Sequence, residues 1–249
     1  MSVELIEGAA TTAAWLTAVL RGSAGVEQAL DVLGAAGRPP SFVVAETTEP
    51  LTLPFAVARW RQVGVSGWRY LPVAPGDAPG LPGPTAFSAA ALDRGVALVA
   101  VDGARLGLIP LHQVDEHGWE ELVISDHGRP YVESPAEAER SLLEALNRGV
   151  AALEGNDLAS WRADAGGIRD QWAASQPMPP GVDARTERLA LRSRRILELL
   201  ERAESEDGGS RTAAEMAIHR SALTEVARAA RHAHAVAWNT GLRRAPSSG

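Results

Sequence analysis

Two residue types are missing from the 249-residue chain. It has no cysteine and no lysine, so all 24 basic residues are arginine. Without cysteine there are no disulfides, thiolate zinc sites, iron–sulfur clusters or cysteine nucleophile. Without lysine there is no Walker-type phosphate lysine, no Schiff-base or pyridoxal chemistry and no kinase-type ATP lysine. Aromatic residues are sparse and lopsided, with seven Trp against three Phe and two Tyr. No run reaches the roughly 20 apolar residues of a membrane helix. The longest apolar stretch, near 96–111, is broken by Asp102 and Arg105. The acidic start Met1-Ser2-Val3-Glu4 lacks the basic lead of a secretory signal. These absences predict a globular chain, mixed in helix and strand, with no membrane segment and a cytoplasmic location. Forty-five alanines and arginine in place of every lysine fit a GC-rich coding bias; the chemical exclusions hold whatever the cause.

Charge is unevenly spread. Residues 1–184 hold 12 Arg against 23 acids, and residues 185–249 hold 12 Arg against 8, within a total of −7. A mildly basic tail therefore follows an acidic body. A nucleic-acid binder usually carries a denser basic surface than this.

The pattern predicts an α+β fold: a mostly antiparallel sheet with flanking helices and a C-terminal antiparallel helical hairpin. Residues 9–20 read as a helix and residues 24–33 as a second, ending at Gly34. Residues 41–45 read as a strand, and Phe55–Val63 with Trp68–Val73 as a hairpin about residues 64–67. Residues 73–84 are a loop, since seven of the twelve are Pro or Gly. Residues 85–94 read as a short helix stopped by Gly95. The sharpest local signal is GVALVAV-DG-ARLGLIPL, where Asp102-Gly103 supplies the positive φ of a tight hairpin turn. Residues 121–125 and 129–132 frame a further expected hairpin about Asp126-His127-Gly128. Ser134-Pro135-Ala136-Glu137 combines a capping box with proline at the first helical position, opening a helix to about Leu153.

Residues 1–175 are expected as the α+β body, 183–241 as the helical hairpin and 242–249 as a disordered tail. Asp183 caps the first arm and Thr212-Ala213-Ala214-Glu215 the second; the arms span about 30 and 42 Å at 1.5 Å per residue. Met216, Leu223, Ala227, Ala230, His234 and Ala237 form a heptad-like seam on the second arm. A further stripe of Val226, Ala229, Ala233 and Val236 predicts that this arm is covered on two sides.

Three constellations bear on function. His112, Asp115, His117, Asp126 and His127 are the ligand types left for zinc, manganese or non-haem iron once thiolates are absent. Their spacing matches no metal motif, HExxH included, and a solvated loop is the plainer reading. Arg185, Arg188, Arg192 and Arg195 line one side of the first arm, with Arg194 pointing elsewhere; they suit phosphates, an acidic partner or the acidic body of the same chain. Trp60, Trp68 and Tyr70 suit either a stacking platform or a core. Gly64-Val65-Ser66-Gly67 is no nucleophile elbow, and no GxGxxG is present. No cofactor is expected.

The leading expectation is a non-enzymatic scaffold, adaptor or regulatory protein. Its C-terminal hairpin would associate with a second copy or another protein through Val226, Ala229, Ala233 and Val236 and the arginine row. The alternatives are a small metal-dependent hydrolase at residues 112–127 and an arginine-stripe regulator that binds nucleic acid.

Overall fold

The computed structural model describes residues 2–35, 39–44, 49–111, 118–128, 133–153, 177–205 and 213–242. The sheet has six strands: β1 (Ser41–Val43), β2 (Leu51–Thr52), β3 (Gly67–Pro72), β4 (Val96–Val101), β5 (Leu106–Pro110) and β6 (Gly118–Val123). Their order is β2-β1-β6-β5-β4-β3. Every neighbouring pair is antiparallel except β1 and β6. The sheet is therefore mixed but mostly antiparallel, as the successive hairpin signals imply.

The Asp102-Gly103 turn has the backbone that joins β4 to β5 tightly, with φ of 60° and 62°. Gly103 also rests on another turn: a Cβ there would lie 2.2 Å from the carbonyl carbon of Gly64. The expected hairpin partner at 129–132 lies outside the described residues.

The near-continuous apolar run of β4 follows from burial on both faces. Val96, Leu98 and Ala100 join Trp68 and Tyr70 in the larger core beneath α1 (Val3–Leu20). Ala97 and Val99 join Phe87 and Ala91 of α4 (Thr85–Arg94) on the other side. Gly95 ends α4 in the left-handed conformation, with φ 78°.

Helix α1 begins six residues before the expected Ala9. Glu4 and Glu7 make its first turns resemble a solvated lead-in, yet Val3, Ile6 and Glu7 are all buried. By length and composition α1 is apolar enough to cross a membrane, but 72% of that window is buried inside the chain.

Phe55–Val63 is a helix and not the expected strand. Helix α3 (Leu53–Gln62) follows the short α2 (Val26–Leu33) and buries Leu53, Ala56, Val57 and Trp60. Those intervals of three and four residues are one helical face, and Pro54 fits the first turn, where no N–H is needed. Residues 63–66 therefore lead from a helix into β3. Trp60 and Trp68 still meet edge-on, with ring centroids 4.8 Å apart, and both are fully buried. Tyr70 is buried as well, so these three aromatics are core residues and form no open platform.

Among the described residues three further helices follow, α5 (Pro135–Leu153), α6 (Ala184–Ser205) and α7 (Ala213–Trp238), and then a 3-10 turn over Asn239–Leu242. The α5 capping box forms in both directions. Glu137 N–H donates to Ser134 Oγ at 3.3 Å, and Ser134 N–H donates to Glu137 Oε2 at 2.8 Å. Asp183 caps α6, accepting from the N–H groups of Arg185 at 2.9 Å and Thr186 at 3.0 Å. The second expected cap, at Thr212, lies outside the described residues.

The Thr186 hydroxyl, then the Thr186 backbone N–H, hold the Asp183 carboxyl below its ordinary 3.8. A lowered folded value stabilises the ionised form, so this contribution is complete above about pH 4 and lost as the pH falls through the folded value. Asp183→Ala is expected to cost about 1 kcal/mol at pH 7. In urea denaturation that difference should shrink below pH 3.

Helices α6 and α7 pair antiparallel: Leu200 packs with Leu223 and Val226, while Ala190 and Leu191 lie beside Trp238. The second stripe of α7 is covered within the chain. Val226, Ala233 and Val236 are buried and Ala229 is half-buried. Helix α5, grouped with the body by the sequence reading, supplies much of that cover. A Cβ on its Gly149 would sit 2.8 Å from Val226, and Leu146 packs on the same cluster. Val226, Ala233 and Val236 are thus core residues, and no second molecule is needed to hide them.

Candidate functional site

Small residues open a space between α5 and α7. Ala145 and Ala229 face it across the two helices, and Pro72 and Pro79 come from the loop after β3. The resulting cavity is about 430 Å³ and opens to solvent. Ser141 and Arg148 extend the α5 wall, one turn either side of Ala145. Glu225, Arg228 and His232 extend the α7 wall at intervals of three and four residues, a single helical face.

Four basic side chains surround this cavity in an otherwise acidic protein. Three are held by carboxylates. Arg231, at the base, donates from Nε to Asp77 Oδ2 at 3.0 Å, in a pair only 10% and 16% exposed. His232 pairs through Nε2 with Glu133 Oε2. Arg148 donates to Glu225 Oε1 at 2.6 Å, in a pair 58% and 38% exposed. The fourth, Arg228, has no hydrogen-bond or ion-pair partner among the described residues. Counting His232 as neutral, the lining carries three guanidinium groups against the carboxylates of Asp77 and Glu225.

The polar groups at the Ser141 end do not form a nucleophile. Ser141 Oγ donates to Glu133 Oε1 at 3.1 Å, and His232 meets the other oxygen of the same carboxylate. The carboxylate stands between hydroxyl and imidazole, whereas an activated serine needs the imidazole in the middle.

Of the expected metal ligands, His112, Asp115 and His117 lie outside the described residues. Asp126 accepts from the Gly128 N–H at 2.6 Å and from Ser125 Oγ at 3.2 Å, closing a turn. His127 Nδ1 bonds the carbonyl of Ala100 at 2.9 Å, and its own carbonyl accepts from Arg69. Both side chains are used structurally. No group of three or more His, Asp or Glu side chains converges among the described residues.

The arginine row turns back on its own chain. Arg185 and Arg192 clamp the two oxygens of Glu139 on α5, at 3.1 and 2.8 Å. Arg188 is exposed and Arg195 half-buried. Arg194 points to the other side, reaching Glu198 at 2.9 Å and Glu7 at 3.5 Å. His234, on the apolar seam, is fully buried between Tyr70 Oη at 3.2 Å, Glu7 Oε2 at 3.0 Å and the Trp238 indole N–H at 3.0 Å. It is a core histidine.

The sequence reading passed over Arg148, Arg228, Arg231 and Asp77. Their helical intervals were visible, but nothing local in the sequence says that α5 lies against α7 or that Asp77 reaches Arg231, 154 residues away.

No curated protein and no solved structure matches the chain. Two family models do. Residues 9–133 match that of the Rv1486c-like protein, N-terminal domain, and residues 136–235 that of its C-terminal domain. The division between the models falls at the capped start of α5, so α5 goes with α6 and α7 in sequence as it does in packing. On these matches the chain belongs to the Rv1486c-like family.

Proposed function

We propose that the protein is a non-enzymatic, regulatory ligand binder whose C-terminal helices capture a small anion in the cavity between α5 and α7. The observation that carries this reading is Arg228, a guanidinium with no ion-pair partner among the described residues, which lines the same concave site as Arg148 of the opposite helix. Guanidinium groups bind carboxylate and phosphate through paired, charge-assisted hydrogen bonds. A basic cavity in a chain of net charge −7 also concentrates anions locally against the overall field. The carboxylate-centred arrangement at Ser141 supports binding over hydrolysis. Assembly through α7 has weaker support, because that helix is covered within one chain.

The test is calorimetric titration of the full chain with pyrophosphate and with malonate, paired with thermal unfolding. A ligand that binds only the folded state stabilises it by about 2.7 kcal/mol at a hundredfold excess over Kd. Arg228→Glu should weaken binding at least tenfold, given about 1.5–3 kcal/mol for a charge-assisted bond. Arg188→Glu, on an exposed face of α6 outside the cavity, should leave binding unchanged. Absence of binding at millimolar anion, or equal binding by the Arg228→Glu variant, would overturn the reading.

A further inference from the structure

The three ion pairs around the cavity differ in how easily they open. Arg231 and Asp77 are mostly buried, so separating them strands two charges away from water. Arg148 and Glu225 are far more exposed, and an exposed pair holds by no more than a factor of about five. Glu225 also lies three residues before Arg228 on α7, so its carboxylate sits beside the free guanidinium on the same helical face.

We infer that Glu225 is an intramolecular competitor for the anion site. It occupies Arg148 in the empty protein and is displaced when a ligand with two negative groups bridges Arg148 and Arg228. This rests on the cavity being an anion site and adds its selectivity. An anion with one carboxylate can use Arg228 alone and leaves the Arg148–Glu225 pair closed. One with two can take both guanidinium groups, at the cost of releasing Glu225. The ligand class is therefore a small dianion, of dicarboxylate or phosphate-ester type. The contact acts as a threshold: weak monoanions do not open it, and high salt loosens it by screening.

A double-mutant cycle on the full chain tests this, with malonate as the two-carboxylate probe and acetate as the one-carboxylate probe at pH 8. Glu225→Gln should tighten malonate binding about three- to fivefold, the reciprocal of the lost pairing, and change acetate binding less. In an Arg148→Gln background the same substitution should bring a clearly smaller gain, because only the charge beside Arg228 is then removed and no guanidinium remains to be released. An equal gain with and without Arg148 would make Glu225 mere background charge and overturn the inference while leaving the anion site standing. If neither the parent nor Glu225→Gln binds malonate, the anion site itself falls and the gate with it. Both side chains are well exposed, so thermal unfolding of the unliganded variants should stay close to that of the parent.

Discussion

Asn239→Ala should lower the unfolding free energy by about 2–4 kcal/mol, because it strips two partners from one buried residue. Strand β3 is an edge of the sheet, and its outward N–H and C=O groups at Trp68 and Tyr70 have no neighbouring strand. An edge of this kind must be covered or paired. Asn239 does both for Tyr70: its Oδ1 accepts from the Tyr70 N–H at 2.9 Å and its Nδ2 donates to the Tyr70 carbonyl at 2.8 Å. One side-chain amide thus stands where a peptide group of a further strand would be. Thr17 of α1 serves the Trp68 N–H, accepting from it at 2.9 Å. Its single hydroxyl proton goes to Ala13 at 2.7 Å in preference to the Trp68 carbonyl at 3.2 Å. Asn239→Asp should do no better than alanine: it keeps the acceptor for the N–H but turns the donor into a charged oxygen facing a carbonyl. Equilibrium urea unfolding measures the loss, and hydrogen exchange at the Tyr70 amide localises it. A loss below 0.5 kcal/mol, the range of an ordinary surface change, would mean that water replaces the amide and that the edge is open.

What the sequence made legible was local chemistry. The Asp-Gly turn, the Ser134–Glu137 box, the Asp183 cap and the Gly95 stop each rest on a few consecutive residues whose backbone preferences suffice. The place of His234 on the heptad-like seam agrees with its burial, because a histidine amid alanines there has few other places to go. Errors arose where a choice depended on distant partners. The runs on either side of residues 64–67 suggest a hairpin that includes Trp60, while the three- and four-residue spacing of Leu53, Ala56, Val57 and Trp60 carries the truer signal. The start of α1 before Ala9 is not legible locally, because the partners of the buried Glu7, Arg194 and His234, lie in the last quarter of the chain. The second stripe of α7 was correctly read as needing cover. The body of the chain, a second copy or another protein all suit that cover, and nothing near α7 in sequence singles out α5. The cavity went unread for the same reason: it is built from two helices and a loop that meet only in the fold.

Glu121 is a further residue whose role depends on distant partners, and its loss should be among the costliest single changes in the sheet. It opens the strand expected over 121–125, and in β6 it lies on the same face as Trp119 and is buried. A buried carboxylate is tolerated only with partners. Glu121 has two, both from α3. Arg59 Nη1 donates to its oxygens at 2.7 and 2.9 Å, and the Trp60 indole N–H donates at 2.7 Å. Glu121→Ala is expected to cost about 3 kcal/mol, the low end for breaking a buried pair. The low end applies because Arg59, 24% exposed, can turn back to water. Trp60 cannot, since it is fully enclosed, so most of the loss is an indole N–H left without an acceptor. That division is itself measurable. In a Trp60→Phe background, which removes the donor, Glu121→Ala should cost about 1–2 kcal/mol less. In an Arg59→Gln background it should cost nearly as much as in the parent. If the arginine background relieves the loss and the phenylalanine background does not, the carboxylate is kept for its charge partner. The bond to the indole would then be incidental to the packing of α3 on the sheet.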